Sequence, residues 1–351
     1  MIPHNRPTIE EADVEVVALV LRSGRIGQGK EVRAFEEEFA AEFGRSGWDG
    51  VAVSSGTAAL YLTLRCLDIG RESSVLVPTY VCTALLHAIS MAGANALLCD
   101  VRDSDFNLDP DLASRVSDSR LKAIILPHTY GVPSDPRPLE TLGAPIIEDC
   151  AQAVGAYFGG RPVGSLSNMS VFSFYATKPM TCGQGGMVLG PGEMCEAIRD
   201  IRDYDGKREL KPRFNFQMTD FQAALGRSQL RRLGGLLARR RETAEMYCAS
   251  LPKSMGRQES LPGAESNHFR FVIRLRQVSQ ARVRLEGKGI DTIVPTEPWE
   301  LLHRQVGASP DGFPVAEELA RTTLSLPIQP SLDDAEREHI AWALSSLGDL
   351  K

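Results

Sequence analysis

The chain has 351 residues, of which 43% are hydrophobic and 24% charged, and this length can bury a large core and still allow a second, smaller domain. The formal net charge is −6 and no run of Lys or Arg forms a basic stripe, which argues against nucleic acid or anionic membrane partners. No apolar run is long enough to cross a bilayer and the first residues have no apolar signal core, so we expect a cytoplasmic protein.

Through the first part of the chain, short apolar runs alternate with amphipathic stretches, several of helical length. Such runs are typical of strands buried on both faces in a mainly parallel sheet that is covered by helices. The sequence therefore predicts an α/β fold with strands near residues 51–53, 74–77, 96–99, 123–126, 145–147, 171–174 and 186–189.

The second part of the chain has a different pattern. Apolar residues recur at helical spacing from Asp220 to Leu251, which predicts long helices leading out of the large domain. Residues 269–275 then alternate like a strand, and a closing amphipathic helix follows a Pro-rich connection before Leu347. We therefore predict a large domain over residues 1–235 and a smaller C-terminal α/β domain over residues 236–351.

Polar residues that follow the predicted strands are the candidates for a ligand site, because ligands of such sheets gather beyond the carboxyl ends of the strands. Ser55, Gly56 and Thr57 form a small-residue turn that opens a helix, where free N–H groups and the helix dipole suit a phosphate. Taken alone, this turn is also an ordinary helix cap. Ser173 offers a second hydroxyl if its strand approaches the same pocket, although a lone serine in an apolar strand is more often filler.

Lys178 follows the sixth apolar run and precedes a glycine-rich segment. The ordinary interpretation of such a lysine is a solvated surface charge, and the ordinary interpretation of Asp149, which ends the fifth run, is a helix N-cap. A lysine whose pKa is lowered by burial and cationic neighbours can, however, bond covalently to a pyridoxal cofactor, and a carboxylate can pair with the protonated pyridine nitrogen. Together with the turn suited to a phosphate, the two residues favour a cofactor site of this kind.

Spacing argues against two other kinds of site. Residues 183–186 lack both the G-x-G-x-x-G spacing and the Lys-Ser/Thr ending of a nucleotide-binding loop. The seven cysteines are scattered, with no C-x-x-C pair and no His at zinc spacing, so we expect reduced, mostly buried thiols and no metal site.

Several segments resemble the DegT/DnrJ/EryC1/StrS sugar aminotransferase family, a branch of the fold-type I enzymes that use pyridoxal 5′-phosphate (PLP). The block Glu148-Asp149-Cys150-Ala151-Gln152-Ala153-Val154-Gly155-Ala156 is the most specific of them. The resemblance runs nearly end to end, and its other segments are residues 2–9, 23–36, 172–178, 183–188, 215–226 and 324–327.

The resemblance implies a fold-type I PLP transferase in which Lys178 holds the cofactor as a Schiff base and moves the proton during catalysis. It also implies that Asp149 holds the pyridinium and that Gln152 binds the ring's 3-hydroxyl. The phosphate would be held by a group of four residues, Gly56, Thr57, Ala58 and Ser173. Asn215 would reach into the site of a neighbouring subunit, so the resemblance implies a homodimer with shared active sites.

Two positions depart from the family's pattern. Cys82 stands where the family usually places an aromatic ring against the cofactor, with Tyr80 two residues earlier. A thiol offers less contact area than an aromatic ring. Gln184 stands where relatives often have glutamate, which removes one charge near Lys178. We therefore expect Cys82 to make the substrate geometry above the ring unusual, and Gln184 to shift the choice of substrate or the pKa of the lysine-bound cofactor.

Three histidines are weaker candidates. His128 lies in a segment that resembles the family's His-x-x-Gly, and a substrate contact and a purely structural role are equally good interpretations. For His268 and His303 the structural role is the better one, because their local patterns are loose.

The resemblance implies an aminotransferase that moves an amino group from glutamate or glutamine to a keto-sugar or a cyclic ketone, both small molecules. Two alternatives stay open: other PLP chemistry on an amino acid or a biosynthetic intermediate, and a PLP-bound regulatory protein. A related dehydratase branch has histidine in place of the lysine, and Lys178 argues against that branch.

Overall fold

The computed structural model of the protein describes residues 1–253, 255–348 and 350. In this part of the chain the helices are α1 (Glu11–Ser23), α2 (Lys30–Phe43), α3 (Gly56–Cys66), α4 (Ala84–Met91), α5 (Pro110–Val116), α6 (Gly192–Arg202), α7 (Asp220–Ser250), α8 (Val278–Glu286), α9 (Leu302–Gln305), α10 (Pro314–Thr322) and α11 (Asp334–Ser345).

The strands are β1 (Trp48–Val53), β2 (Ser74–Pro78), β3 (Asn95–Cys99), β4 (Leu121–Pro127), β5 (Ile146–Asp149), β6 (Tyr157–Phe158), β7 (Arg161–Pro162), β8 (Met169–Ser173), β9 (Gly186–Pro191), β10 (Gly256–Arg257), β11 (Ala264–Glu265), β12 (Phe271–Arg274) and β13 (Thr323–Leu326).

The central sheet has the strand order β1-β9-β8-β5-β4-β2-β3. Strands β8, β5, β4, β2 and β3 pair in parallel, and β9 is antiparallel to both of its neighbours. Each of the seven apolar runs in the sequence forms one strand of this sheet. The prediction of a mainly parallel α/β sheet is therefore confirmed.

Helices cover both faces of this sheet. Along β1, Val51 and Val53 belong to the apolar core that α3 and α4 build on one face, whereas Ala52 belongs to the core on the other. Phe39 of α2 lies in that second core with Phe172 of β8, at a ring separation of 4.9 Å. Alternate side chains of a strand point to opposite faces, so burial on both faces explains why the strands are almost continuously apolar.

Helix α7 connects this sheet to a separate apolar core. It begins at a capping box formed by Thr219 and Gln222, which satisfies free N–H groups at the helix start. Ala223 near its start lies in a core of the central sheet, while Ala244 and Tyr247 near its end pack in the other core. One helix of 31 residues thus runs from one core to the other.

The other core is built on the antiparallel sheet β10-β12-β13 with α8 and α11. Ile2 also packs here: its N–H donates to Gly289 O at 2.7 Å and it forms a parallel bridge with Ile290. The start of the chain therefore packs with this core, while the division between residues 1–235 and 236–351 stays a prediction. None of the helices in the described ranges combines the length and apolar character that a membrane crossing needs.

Candidate active site

A cavity of about 420 Å³ opens at the carboxyl ends of β4, β5 and β8, next to the start of α3. This is the place where parallel sheets bind ligands. Most of the candidates from the sequence line it, namely Gly56, Thr57, Cys82, His128, Asp149, Gln152, Ser173, Lys178 and Gln184. Ala58 and Asn215 are not among the lining residues.

The first turn of α3 forms one end of the cavity. Ser55 caps the helix, and its Oγ accepts the Ala58 N–H at 3.1 Å. The Ala58 N–H is therefore already used, and Ala59 N donates to the Ser55 carbonyl. The N–H groups of Gly56 and Thr57 have no hydrogen-bond partner among the described residues, as expected at a helix start. These two donors and the positive end of the helix dipole suit an anion.

Two glycines allow the strands to approach this turn closely. A Cβ on Gly56 would lie 2.9 Å from Ser173 Cβ, and a Cβ on Gly186 would lie 2.4 Å from Ser55 O. Contacts this short are not tolerated by a real side chain, so glycine is required at both positions. The Ser173 hydroxyl therefore lies next to the helix start. A serine that only occupies space in an apolar strand would not explain this position.

Asp149 is the last residue of β5 and only 7% of its surface is exposed. Its Oδ1 accepts the Ala151 N–H at 3.0 Å, and the segment that follows is a turn, so it caps no α-helix. Burial raises the pKa of Asp149, while the Ala151 hydrogen bond and the charge of Lys178 lower it. The buried carboxylate of Asp149 therefore favours a cationic partner.

Lys178 is held in a turn after β8, where its N–H donates to Tyr175 O at 2.9 Å. The side chain is half-buried, and its Nζ lies 5.1 Å from the centre of the Phe269 ring. Burial lowers the pKa of Lys178, whereas the nearby carboxylate of Asp149 raises it. A solvated surface charge does not describe this lysine.

Gln152 lies in the turn after Asp149. Its Oε1 accepts the Tyr130 N–H at 2.7 Å, and its backbone carbonyl accepts a hydrogen bond from Asn267 Nδ2 at 3.0 Å. These contacts fix the side chain and leave its Nε2 donor without a partner among the described residues. A free amide N–H at the cavity wall can donate to an oxygen of a bound ring.

The positions that depart from the family's pattern both face the cavity. Cys82 and Tyr80 both line it, but Cys82 is exposed, whereas Tyr80 is fully buried with its hydroxyl 3.0 Å from Thr323 Oγ1. Tyr80 is therefore held in the core at the cavity wall, and Cys82 is the more accessible of the two side chains. Gln184 also lines the cavity, and its backbone carbonyl accepts Gln222 Nε2 at 3.1 Å.

His128 has structural contacts on both ring nitrogens. Nδ1 accepts the Ser134 N–H at 2.9 Å, and Nε2 lies 3.2 Å from Glu148 Oε2, to which it can donate. Glu148 in turn accepts backbone N–H groups from Gly164, Leu166 and Ser167. These contacts support the structural interpretation of His128. Cys150 lies close by, but hydrogen bonds already use the His128 nitrogens and the Glu148 oxygens, so this group is not built for a metal.

The other two histidines lie away from the cavity wall. His303 is fully buried, with Nδ1 2.8 Å from Thr79 Oγ1 and Nε2 3.0 Å from Glu317 Oε1. His268 precedes β12, and burial lowers its pKa to about 4, with the charge of Arg241 adding to the effect. Both arrangements support the structural interpretation.

Asn215 lies on the surface between Phe214 and Phe216, whose rings stack at 5.0 Å. Its backbone pairs with Asp203 in an isolated bridge. The side chain is exposed and takes no part in the cavity of its own chain.

The opposite wall of the cavity contains residues that the sequence did not single out. They are Tyr130, Phe269, Arg270 and Glu300. Residues 269–271 have only the alternation of a strand as their sequence signal, and an arginine between two aromatic residues does not by itself predict a ligand contact.

The fold and this cavity define a class. A mainly parallel sheet with one reversed strand, an aspartate ending β5 and a lysine in the turn after β8 agree with what the resemblance to fold-type I PLP-dependent enzymes implies. The profile of the DegT/DnrJ/EryC1/StrS aminotransferase family matches residues 7–345, and the chain belongs to this family.

Two relatives have similar sequences over almost their whole length. A dTDP-3-amino-3,4,6-trideoxy-alpha-D-glucose transaminase from Streptomyces venezuelae is 35% identical, with 93% of this chain and 91% of the relative covered. The erythromycin biosynthesis sensory transduction protein EryC1 from Saccharopolyspora erythraea is also 35% identical, with 93% of each chain covered.

Solved structures agree with this result. The crystal structure of Streptomyces venezuelae DesV in complex with a ketimine intermediate has a TM-score of 0.89 at 32% identity, over 97% of this chain and 95% of that one. The PLP-form of a protein described as a sugar aminotransferase from Streptococcus pneumoniae has a TM-score of 0.93 at 26% identity, over 99% and 98% of the two chains. The prediction of a PLP-dependent aminotransferase is therefore confirmed.

Proposed function

We propose that the protein transfers an amino group from glutamate or glutamine to the carbonyl carbon of a keto-sugar. The observation that carries the proposal is a single cavity lined by Lys178, Asp149 and the anion-suited start of α3. The sugar transaminase from Streptomyces venezuelae supports a sugar as the acceptor, since its sequence matches along almost the whole chain.

The residues of the cavity fit PLP. For the phosphate, Gly56 and Thr57 offer N–H groups that have no partner among the described residues, and Ser173 offers a hydroxyl. The two elements can come this close because residue 56 is a glycine: a Cβ there would collide with Ser173. At the other end, the buried Asp149 carboxylate suits the pyridinium nitrogen, and the Gln152 amide suits the ring hydroxyl. When bound, PLP withdraws electrons from the substrate carbon that carries the amino group.

Lys178 has the chemistry to move the proton in both half-reactions. Burial lowers the pKa of its amine, so a larger share of it is unprotonated near neutral pH than for a surface lysine. In that form, Nζ accepts a proton from the substrate carbon of the donor and later returns a proton to the carbon of the acceptor. The proposed catalytic role of Lys178 follows from this exchange.

A homodimer is part of the proposal. Asn215 is exposed and is not among the residues that line the cavity, as expected for a residue that acts in a neighbouring subunit. Helix α1 presents apolar side chains to solvent, Val14, Leu19 and Leu21, beside a groove of about 750 Å³ against α7. Apolar surface of this kind is typical of a subunit interface.

The experiment follows the visible absorbance of the purified PLP-loaded enzyme while glutamate or glutamine is added. Loss of the band of the lysine-bound cofactor, with release of the matching 2-oxo acid, supports the donor half-reaction. Recovery of the band on addition of a keto-sugar, with appearance of the amino-sugar, supports the acceptor. An unchanged spectrum with both donors would contradict the proposal and favour a regulatory protein that only binds PLP.

A further inference from the structure

Residues 2–6 run along the side of the molecule that carries the β10-β12-β13 sheet. Residues 2, 3, 4 and 6 are each anchored there by a hydrogen bond of 2.7 to 3.2 Å. Their partners lie in the loops after α8 and after β13 and are, in the same order, Gly289, Gln329, Asp291 and Ser331. The chain on both sides of Asn5 is therefore held by this part of the molecule.

The side chain of Asn5 crosses to the turn that carries Lys178. Its Nδ2 donates to Thr177 O at 3.1 Å, and this carbonyl belongs to the peptide that joins Thr177 to Lys178. Within the described ranges it is the only hydrogen bond that residues 176–180 form with another segment, since the Lys178 N–H donates to Tyr175 O inside the turn. Asn5 is thus the polar link between the turn and the β10-β12-β13 side.

The backbone around Lys178 has little other support. Residues 174–185 are neither helical nor extended in a strand, so no regular ladder of hydrogen bonds fixes Lys178. Pro179 follows directly, and a proline ring restricts the backbone of the residue before it. The Asn5 hydrogen bond fixes the peptide on the other side. Together the two constraints flank the Cα of Lys178 and set the direction in which its side chain leaves the turn.

The position of the amine depends on that direction. Lys178 Nζ lies 5.1 Å from the centre of the Phe269 ring and near the charge of Asp149, but no hydrogen bond holds it in the described part of the chain. A lysine side chain is a flexible four-carbon stem, so its backbone must aim it. A displacement of about 1 Å of a reacting group can cost roughly 100-fold in rate.

We propose that Asn5 is a positioning residue for the amino transfer, because its hydrogen bond to Thr177 O orients Lys178 and ties it to the β10-β12-β13 side. Asn5 does not line the main cavity, so it acts through Lys178 and not on a substrate. The segment itself does not need this bond, since four of its residues are anchored without it. The inference rests on the proposed function only in that Lys178 moves the proton, and it holds for any acceptor.

The test compares three variants. Asn5→Leu keeps the size of the side chain and removes the donor, and Asn5→Gln keeps an amide donor on a longer stem. Asn5 Oδ1 has no partner among the described residues, so the leucine variant removes this one hydrogen bond. Arg6→Gln is the matched control, because the exposed Arg6 lies in the same segment but binds Ser331. Thermal unfolding verifies that each variant is folded.

The first measurement uses the cofactor-free protein, so it does not depend on activity. Hydrogen exchange, followed by mass spectrometry, reports how often the Lys178 N–H leaves Tyr175 O. We expect Asn5→Leu to raise the exchange rate of the peptide that contains Lys178 by about 2- to 10-fold, as the loss of one hydrogen bond implies. Arg6→Gln should leave this rate unchanged. Unchanged exchange in Asn5→Leu, or an equal rise in Arg6→Gln, overturns the inference.

The second measurement follows the PLP-loaded enzyme during its reaction with glutamate or glutamine. We expect the rate of loss of the lysine-bound cofactor band at saturating donor to fall about 10-fold in Asn5→Leu, because Lys178 is no longer aimed. The donor concentration that gives half of the maximal rate should stay the same, since Asn5 touches no donor. Asn5→Gln should recover part of the rate, and Arg6→Gln should react like the unchanged enzyme.

The outcomes separate this inference from the proposed function. A change only in the half-saturating concentration, or an Asn5→Gln variant as slow as Asn5→Leu, overturns the positioning role. A donor reaction that depends on Asn5 in an enzyme that aminates no keto-sugar contradicts the proposed function and leaves this inference standing. If neither donor reacts, the proposed function fails, and the exchange measurement still decides whether Asn5 holds the turn of Lys178.

Discussion

The sheet side of the cavity takes its polar groups from the ends of β5 and β8 and from the start of α3. The opposite side takes them from the approach to β12 and from residues 295–300. On the sheet side, backbone hydrogen bonds and required glycines hold Asp149, Ser173 and the helix turn at fixed positions. The opposite side has Arg270, whose Nε and Nη1 have no hydrogen-bond partner among the described residues, and Tyr130, whose hydroxyl lies 2.8 Å from Thr296 Oγ1. This difference suggests that the first side serves the cofactor and the second the substrates.

Removal of the lysine is the strongest test of the cofactor side. We expect Lys178→Ala to lower the rate of amino transfer by roughly 100- to 10,000-fold, because it removes the group that moves the proton. Borohydride should no longer attach the cofactor covalently, which mass spectrometry of the intact chain measures. Lys122→Ala, at an exposed lysine, is the control. Covalent attachment that persists in Lys178→Ala would show that another residue bonds the cofactor.

Asp149→Asn separates cofactor binding from protein stability. We expect the dissociation constant for PLP to rise about 10- to 100-fold, because the charged partner of the pyridinium is lost. Equilibrium binding measures it, with the exposed Asp111→Asn as control. Unchanged affinity would break the assignment of this carboxylate to the cofactor.

The same variant should behave oppositely without cofactor. Burial raises the pKa of Asp149, so the folded chain holds its proton more readily than the unfolded chain, and stability falls as the pH rises through the carboxyl's ordinary pKa of 3.8. The neutral amide removes this unfavourable contribution at pH 7. Cofactor-free Asp149→Asn should therefore unfold at a higher temperature than the unchanged protein, as calorimetry can measure.

A methyl group at the helix start tests how tightly the cofactor side is built. Gly56→Ala places a Cβ 2.9 Å from Ser173 Cβ, and we expect a loss of about 1–3 kcal/mol in the free energy of unfolding together with weaker PLP binding. Gly234→Ala, in the exposed middle of α7 with no atom near the added Cβ, should instead stabilise by about 0.5–1 kcal/mol. Denaturant unfolding measures both. Equal stability of the two variants would contradict the close approach.

Next to Arg270 but outside the cavity lining, acid should act through His4. Its Nε2 lies 2.9 Å from Ser325 Oγ, and burial, with the charge of Arg270, lowers its pKa from 6.5 to about 3. The unfolded chain takes up the proton first, so we expect stability to fall as the pH drops from 6.5 towards 3. His4→Gln should flatten this part of the stability curve, whereas the exposed His87→Gln should leave it as it is. A curve that His4→Gln leaves unchanged would exclude this origin.

The two sides also differ in how far the sequence predicts them. Continuous apolar runs predicted every strand of the central sheet, and short motifs at the strand ends pointed to Asp149, Ser173 and Lys178, which the cavity brings together. Each of these signals is local, because the strand and the polar residue after it are neighbours in the chain. Phe269 and Arg270 have no such signal, since their position depends on how β12 packs against a segment more than a hundred residues earlier. His128 is a different case: its motif left a substrate contact and a structural role equally open, and Ser134 and Glu148 occupy its nitrogens.

The bridge between Ile2 and Ile290 has a consequence for the order in which the molecule is made. The strands of the central sheet that form the cofactor side all leave the ribosome before the partner of Ile2 does. The large core can therefore collapse while the first residues of the chain are still unpaired. Contacts with so large a separation along the chain are slow to form. We expect the wall that carries Arg270 to be completed last, so a newly made chain acquires the sheet side of the cavity before the opposite side.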